Sequence, residues 1–312
     1  DRAVRSGQTG IDGPLLVVVG PTSAGKTSLS LSLASKFGGE IVSADSRLLY
    51  RGMDIGTDKP SPEDRARIRH HLVDVCQPDE TVTLGEYKRM ATAAIAEVHD
   101  RDHLPLLVGG TGQYVKAIVE GWRIPEIAPN RPLRQELERL GGPELNRWLS
   151  HLDPASAAAI EARNVRRVIR ALEVTLLSGQ PMSQLQRKDP PPYDIMIIGL
   201  RCDREILYRR IDARVERMMA AGLVDEVRDL RAMGYSAALP AMSGLGYRQI
   251  MAYLDGQLTL AECVERIKYE THRFARQQHN WFRWDDDNII WYDTQQEGWL
   301  VQVMADAGRL LA

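Results

Sequence analysis

Over the first 110 residues, short apolar runs alternate with segments in which apolar residues recur every three or four positions. The apolar runs predict buried strands, and the periodic segments predict amphipathic helices. The predicted strands span residues 15–19, 40–44, 71–75 and 104–108, and the predicted helices span residues 26–37 and 87–99. This alternation is typical of an α/β fold in which a parallel sheet is flanked by helices.

The pattern changes near Trp122, after which the strand signal is weak and the helical signal continues. Predicted helices span residues 131–140, 144–152, 155–162 and 164–177, with Asp153 and Asn164 as N-terminal caps. After the proline-rich residues 188–192, residues 195–200 return to a strand pattern, helices resume at Arg204, and a peripheral strand and helix are predicted after residue 285. We therefore predict a flexible tail (1–13), a catalytic core (14–121 and 193–312) and an inserted all-helical domain (122–192).

A phosphate-binding loop follows the first predicted strand. The stretch Gly20-Pro21-Thr22-Ser23-Ala24-Gly25-Lys26-Thr27 fits the pattern GxxxxGK[ST] and leads into the first predicted helix. Such a loop directs backbone N–H groups and a lysine at phosphate oxygens, and its final hydroxyl reaches a Mg²⁺ ion. The fold prediction is thus a P-loop NTPase-like sheet, with phosphate groups bound by Gly20, Thr22, Ser23, Ala24, Gly25, Lys26 and Thr27, and with Mg²⁺ at Thr27.

The composition limits the kinds of binding partner that the protein can have. The 312 residues carry a formal net charge of −2, so a surface for nucleic acid has to be local. Three widely spaced cysteines form no zinc-binding pattern and favour a reducing compartment. No apolar run reaches the length of a membrane span, and the polar start lacks the apolar core of a signal peptide, so we expect a cytoplasmic protein without a membrane partner.

Arginines recur at helical spacing in two places. Arg163 immediately precedes the helix predicted over residues 164–177, and Arg166, Arg167 and Arg170 lie on it. Arg210, Arg214 and Arg217 lie further along the chain. Both groups are compatible with phosphate binding. A solvated basic face for the first group and i,i+4 ion pairs for the second are the alternatives.

Polar residues stand where predicted strands end. Asp45, Asp74 and Thr111 all follow apolar runs, and parallel sheets bind ligands at the carboxyl ends of their strands. A carboxylate such as that of Asp45 can bind Mg²⁺ through water, act as a general base, or simply cap a turn.

Several stretches together resemble the tRNA dimethylallyltransferase (isopentenyl-tRNA transferase) family. They are GPTSAGKT (20–27), SADSRLLYRGMDIGTDKP (43–60), LLVGGTGQY (106–114), RRVIRALEV (166–174) and SGLGYRQ (243–249). They occur in the family's order and spacing, and the resemblance covers residues 15–284. The second stretch is far more specific than the phosphate loop.

The resemblance implies transfer of a dimethylallyl group from dimethylallyl diphosphate to N6 of the tRNA adenosine that is 3′-adjacent to the anticodon, with Mg²⁺ as cofactor. It implies that the phosphate loop binds the diphosphate rather than ATP, that Asp45 is the general base, and that Lys26, Thr111 and Arg214 take part in catalysis. We expect a monomer whose helical insertion grips the anticodon stem-loop. The residues implied to contact tRNA are Asp45, Ser46, Arg47, Leu48, Thr111, Arg166, Arg167, Val168, Ile169, Arg170, Ser243, Gly244, Leu245, Gly246, Tyr247 and Arg248.

The sequence departs from the family pattern at a few positions, and the GTxKP lysine, Lys59, receives no role. The departures are the Ser23-Ala24 order, Leu48, Gln113, His272, Gln277 and Asn280.

Two other functions compete with prenyl transfer. A small-molecule or nucleoside kinase would use the same loop for ATP and the insertion as a lid. A GTPase-type RNA-binding switch is disfavoured because no NKxD-like pattern is present.

Overall fold

The computed structural model describes residues 12–311, so most of the predicted tail (1–13) lies outside the described residues. The chain forms two compact units. Within the described residues, the core unit comprises residues 12–115 and 192–311, and the helical unit comprises Lys116–Pro191. Within residues 12–311, no helix combines the length and apolar character needed to cross a bilayer.

A six-stranded parallel sheet organises the core unit. Its strands are β1 (Gly13–Val19), β2 (Gly39–Ser43), β3 (His70–His71), β4 (Leu104–Val108), β5 (Tyr193–Arg201) and β6 (Ile289–Asp293). They lie in the order β3-β2-β4-β1-β5-β6, and every neighbouring pair is parallel. Because β1 lies between β4 and β5, its five apolar residues are fully buried. The predicted α/β class with a parallel sheet is confirmed.

Helices cover both faces of the sheet. In the core unit they are α1 (Lys26–Phe37), α2 (Pro62–Arg67), α3 (Leu84–Asp100), α4 (Gly112–Val119, which crosses the unit boundary), α10 (Arg204–Ala220), α11 (Leu223–Ala232), a 3₁₀ turn (Ala241–Ser243), α12 (Tyr247–Leu254), α13 (Leu260–Gln278) and α14 (Trp299–Leu310). Apolar residues of α1, α10 and α14 form one cluster with the strands. Helix α3 packs on β2 and β4 and begins with a capping box, in which Thr83 and Glu86 satisfy each other's backbone N–H groups.

The predicted strand over residues 71–75 is wrong beyond His71. Leu72 and Asp74 adopt left-handed backbone angles (φ 60° and 57°), which end the extended conformation. Asp74 therefore does not end a strand beside the phosphate loop. Its carboxylate instead pairs with Lys59 and Arg65.

The helical unit has its own core. Its helices are α5 (Arg131–Leu140), α6 (Gly142–Leu152), α7 (Pro154–Ala159), α8 (Val165–Ser178) and α9 (Met182–Leu185). The buried cluster contains Leu137, Leu145, Leu149, Val168, Ile169, Ala171 and Leu172. Asn164 caps α8 by accepting the Arg167 N–H, as its position before the helix predicts.

Candidate active site

The phosphate loop joins β1 to α1. Gly20 has φ 145°, and a Cβ there would lie 2.8 Å from the carbonyl oxygen of Leu200, so this position requires glycine. Gly25 and Ser23 also have positive φ (101° and 63°), which turns the chain sharply into the helix. The N-terminal end of α1, with its positive partial charge, therefore faces the space inside the loop.

Lys26 lies against the inner side of this loop. Its Nζ donates to the carbonyl oxygens of Gly20 and Pro21 at 3.0 and 2.9 Å. Burial lowers the pKa of Lys26 to about 8; the Asp45 carboxylate opposes this shift and the Arg214 guanidinium adds to it. A bound anion would favour the protonated form, because it supplies the negative charge that burial removes.

Asp45 and Thr111 meet at the carboxyl ends of β2 and β4. The Thr111 N–H donates to the carbonyl oxygen of Ala44 at 3.2 Å, and the Ser46 N–H donates to Thr111 Oγ1 at 3.0 Å. Asp45 accepts the Arg47 N–H at 2.8 Å, which fixes the orientation of its carboxylate. The structure thus brings together two of the residues that the sequence assigned to the reaction.

Arg214 reaches the phosphate loop from α10. Its Nη1 donates to Thr22 Oγ1 at 2.7 Å, and its Nε lies 3.3 Å from the Asp58 carboxylate. The guanidinium is mostly buried, since its side chain is 20% exposed. Lys26 and Arg214 together place two cations at the loop.

Gln278 also belongs to the site, although sequence reasoning missed it. The Thr22 N–H donates to Gln278 Oε1 at 2.8 Å, and Gln278 Nε2 donates to the Gly110 carbonyl oxygen at 3.2 Å. Because the Thr22 N–H donates to this side chain and the Ala24 N–H donates to the Pro21 carbonyl oxygen at 3.2 Å, the N–H groups at the N-terminus of α1 are the ones that can face an anion. The available signal was a polar residue on the apolar stripe of α13, one turn after Ala275.

Glu226, on α11, is a second residue that the sequence did not single out. Its carboxylate accepts the backbone N–H groups of Asp54, Ile55 and Gly56 at 2.9, 2.7 and 3.1 Å. Tyr247 donates its hydroxyl to the same carboxylate at 2.6 Å. Burial and the neighbouring Glu226 charge hold the pKa of Tyr247 far above its usual value.

Comparison with known proteins assigns the family. Residues 48–285 match the family model described as IPP transferase. The chain belongs to this family. It is 50% identical to the tRNA dimethylallyltransferase of Thermomicrobium roseum over 302 residues, covering 96% of this chain and 92% of the relative. It is 56% identical to that of Roseiflexus castenholzii over 274 residues, covering 86% and 90%.

Solved structures agree with this assignment. A full-length tRNA isopentenylpyrophosphate transferase from Bacillus halodurans matches with a TM-score of 0.71 and 38% identity, covering 95% of this chain and 96% of that one. A eukaryotic dimethylallyltransferase whose structures describe it acting on tRNA matches with a TM-score of 0.83 and 25% identity, covering 95% and 78%.

Two of the segments that the family resemblance assigns to tRNA, 45–48 and 243–248, lie close together in the core unit. Arg47 Nη1 donates to the carbonyl oxygens of Pro240 and Ala241 at 3.0 and 3.2 Å, just before the segment 243–248. In that segment Ser243 and Arg248 are exposed, while Gly244, Gly246 and Tyr247 are buried and Leu245 is half-buried. RNA contact by these residues stays a prediction, and only Ser243 and Arg248 offer well-exposed side chains.

The arginines of α8 divide into two kinds. Arg166 and Arg167 are exposed, whereas Arg170 pairs with the buried Glu173. Val168 and Ile169 are 0% and 4% exposed in the core of the helical unit. The sequence prediction that Val168 and Ile169 contact tRNA is therefore corrected for their side chains, because these side chains pack inward.

Lys59 acquires the role that the sequence did not supply. Its Nζ donates to the carbonyl oxygen of Tyr50 and to the carboxylates of Asp54 and Asp74, and its side chain is 3% exposed. Because all three N–H bonds are used inside the protein, Lys59 fixes the backbone around it.

Apart from Ser23 and Ala24, which lie in the phosphate loop itself, the positions that depart from the family pattern occupy surface or partly buried sites. Gln113, Gln277 and Asn280 are exposed, and Leu48 is half-buried. The ring of His272 stacks on Tyr208 with centroids 4.0 Å apart. None of these side chains is bonded to the phosphate loop in the described residues.

Proposed function

We propose that this protein transfers the dimethylallyl group of dimethylallyl diphosphate to N6 of the adenosine 3′-adjacent to the anticodon of tRNA, releasing diphosphate. The observation that carries the proposal is the meeting of the phosphate loop, Asp45 and Thr111 at one edge of the sheet, in a chain of the IPP transferase family. The relatives' names support the same reaction.

The diphosphate of the donor binds at the phosphate loop. The N–H groups at the N-terminus of α1, the Lys26 ammonium and the Arg214 guanidinium supply the positive charge. As the allylic C–O bond lengthens, negative charge accumulates on the leaving diphosphate. Donors fixed in advance stabilise that charge without reorganising, which lowers the barrier to transfer.

Mg²⁺ is the proposed cofactor, and the residues present fit it. Residues 12–311 contain no cluster of three or more Asp, Glu, His or Cys side chains that could hold a metal without a substrate. Mg²⁺ typically binds one or two protein oxygens together with phosphate oxygens and water. The Thr27 hydroxyl and, through water, the Asp45 carboxylate would hold it, and the ion would neutralise charge on the leaving diphosphate.

Asp45 removes the proton that N6 must lose. The N6 lone pair is delocalised into the adenine ring, so the amine is a weak nucleophile until a base withdraws a proton as the C–N bond forms. Thr111 Oγ1 accepts the Ser46 N–H and so holds the backbone next to Asp45, while the Arg47 N–H orients the Asp45 carboxylate. To reach this edge of the sheet, the adenosine has to leave its stack in the anticodon loop.

The tRNA partner binds through local basic residues, since the chain as a whole is slightly acidic. Arg166 and Arg167 of the helical unit, with Ser243 and Arg248 of the core unit, are the exposed contacts. A monomer and a cytoplasmic location remain the expectation. The cysteines of the described residues are free thiols, as a reducing compartment favours.

The test is a transfer assay with Mg²⁺, labelled dimethylallyl diphosphate and an anticodon stem-loop with adenosines across the 3′ edge of the anticodon. A matched stem-loop lacks the target adenosine, and a third reaction contains ATP in place of the donor. Label in the first RNA alone supports the proposal. No label there, with ATP consumed in the third reaction, would replace the proposal with a kinase.

A further inference from the structure

The loop of residues 54–60 is fixed on its first half by α11. Glu226 accepts the N–H groups of Asp54, Ile55 and Gly56 at 2.7–3.1 Å. A Cβ at Gly56 would lie 2.5 Å from the ring of Tyr247, so the ring packs directly against the backbone. Three charge-assisted hydrogen bonds and this contact leave the first half of the loop little freedom.

The second half of loop 54–60 is fixed by Lys59. Its ammonium bonds to the Tyr50 carbonyl oxygen and bridges the carboxylates of Asp54 and Asp74. Asp74 is held in turn by Arg65 at 2.8 Å. Thr57 and Asp58 lie between the two fixed halves, and the Thr57 hydroxyl donates to the Met53 carbonyl oxygen at 2.5 Å.

Asp58 is held in an uncommon backbone conformation and faces the phosphate loop. Its φ is 57°, in the left-handed region where Asp and Asn are the tolerated residues after glycine. Its carboxylate lies 3.3 Å from Arg214 Nε, while Arg214 Nη1 donates to Thr22 Oγ1 at 2.7 Å. A loop fixed on both sides thus presents one carboxylate to the arginine of the site.

We propose that Asp58 is a positioning residue that holds the guanidinium of Arg214 in the orientation in which it binds the diphosphate. The inference rests on the proposed function, because it assumes a diphosphate at the loop. Arginine has several rotatable bonds, and an arginine that is already oriented loses less entropy when the anion binds. The Asp58 side chain is 57% exposed, so solvent screens its repulsion of the anion, whereas Arg214 is mostly buried.

A thermodynamic cycle tests this coupling. The variants are Asp58→Asn, Arg214→Ala and the double variant, since asparagine keeps the shape of aspartate and tolerates the same φ. Single-turnover transfer with enzyme in excess gives the rate at subsaturating donor, and calorimetry with inorganic diphosphate gives binding without turnover. Asp225→Asn is the matched control, because Asp225 lies beside Glu226 on α11, is 72% exposed and pairs with Arg228.

We expect Asp58→Asn to lower both the transfer rate and diphosphate affinity about tenfold, and to change neither in the Arg214→Ala background. Asp225→Asn should match the wild type. Equal losses from Asp58→Asn in both backgrounds would mean a structural role only and would overturn the inference. Tighter diphosphate binding by Asp58→Asn would also overturn it, because Asp58 would then compete with the anion. If the wild type transferred no label, the proposed function would fail. Calorimetry with inorganic diphosphate on the same variants would still show whether Asp58 acts through Arg214.

Discussion

At the residue scale, Lys26 makes donor binding dependent on pH. With its pKa lowered to about 8, the free protein binds only part of a proton at Lys26 near pH 8. The diphosphate favours the charged form, so binding takes up a proton, and donor affinity falls as pH rises above about 8. Calorimetry at pH 8 in buffers of different ionisation enthalpy should detect uptake of about half a proton per donor.

Lys26→Arg is the control for this prediction. A guanidinium stays charged over the whole range, so proton uptake from this position should disappear. Unchanged proton uptake in the arginine variant would assign the linkage to another group.

Asp45 is the second residue whose role can be isolated. Asp45→Asn keeps an oxygen that can accept the Arg47 N–H, so the turn should persist while the base is lost. Transfer should fall by about 10²-fold or more, with RNA affinity within about twofold of the wild type. Rapid-quench transfer and filter binding measure the two quantities, and an undiminished rate would remove Asp45 as the base.

At the scale of elements, the site depends on helices that are remote in sequence. Helix α13 brings Gln278 to the Thr22 N–H, and α10 brings Arg214 to the Thr22 hydroxyl. Both helices pack on the core unit through apolar residues, including Ala275 and Ile211. Packing of these apolar faces therefore sets the geometry at the phosphate loop.

In the helical unit, Glu173 joins α5 to α8. Its fully buried carboxylate accepts hydrogen bonds from Arg134, Arg170 and the Asn130 N–H at 2.6–2.8 Å. Although burial raises the pKa of Glu173, the bonds from Arg134 and Arg170 outweigh it and lower the pKa to about 2. The ionised carboxylate therefore stabilises the folded unit.

Glu173→Gln should lower the free energy of unfolding by about 2 kcal/mol at neutral pH. The folded pKa is below the ordinary value of 4.5, so the contribution is present above pH 4.5 and is lost as pH falls towards about 2. Urea unfolding at pH 7 and pH 3 measures the free energy of unfolding, and the difference in this free energy between the variant and the wild type should be smaller at pH 3.

The control for Glu173 is Glu136→Gln on α5. Glu136 also pairs with an arginine, Arg139, but both side chains are about two-thirds exposed or more, so its loss should be small. Equal destabilisation by the two variants would contradict the importance of burial at Glu173.

At the scale of the whole molecule, a net charge of −2 leaves RNA binding to local patches. Arg167→Ala should weaken anticodon stem-loop binding and reduce the slope of log K against log salt by about one. Arg309→Ala on α14, where the guanidinium pairs with Asp306, is the control and should leave the slope unchanged. Fluorescence titrations at several salt concentrations measure both, and an unchanged slope for Arg167→Ala would make α8 a solvated basic face.

Most elements could be predicted because their signals are local. The bounds of α1, β4 and α5 agree with the sequence pattern, since caps, glycines and apolar periodicity lie within each segment. The third strand was overestimated because an apolar run does not reveal the left-handed turn at Leu72. The prediction that Val168 and Ile169 contact RNA came from the resemblance alone, which covers the whole segment 166–170 and does not say which of its side chains point inward.

The sequence determined the phosphate loop, the alternating elements and the family, because each depends on residues close together in the chain. The family resemblance already pointed to Arg214, but only the tertiary structure showed how distant groups complete the site and added Gln278 and Glu226 to them. Gln278 and Arg214 are separated from their partner Thr22 in the phosphate loop by 256 and 192 positions in the sequence. Glu226 is separated from Gly56 in the loop of residues 54–60 by 170 positions. Such contacts leave no local pattern, because they arise only when packing of the helices on the sheet brings the separate segments together.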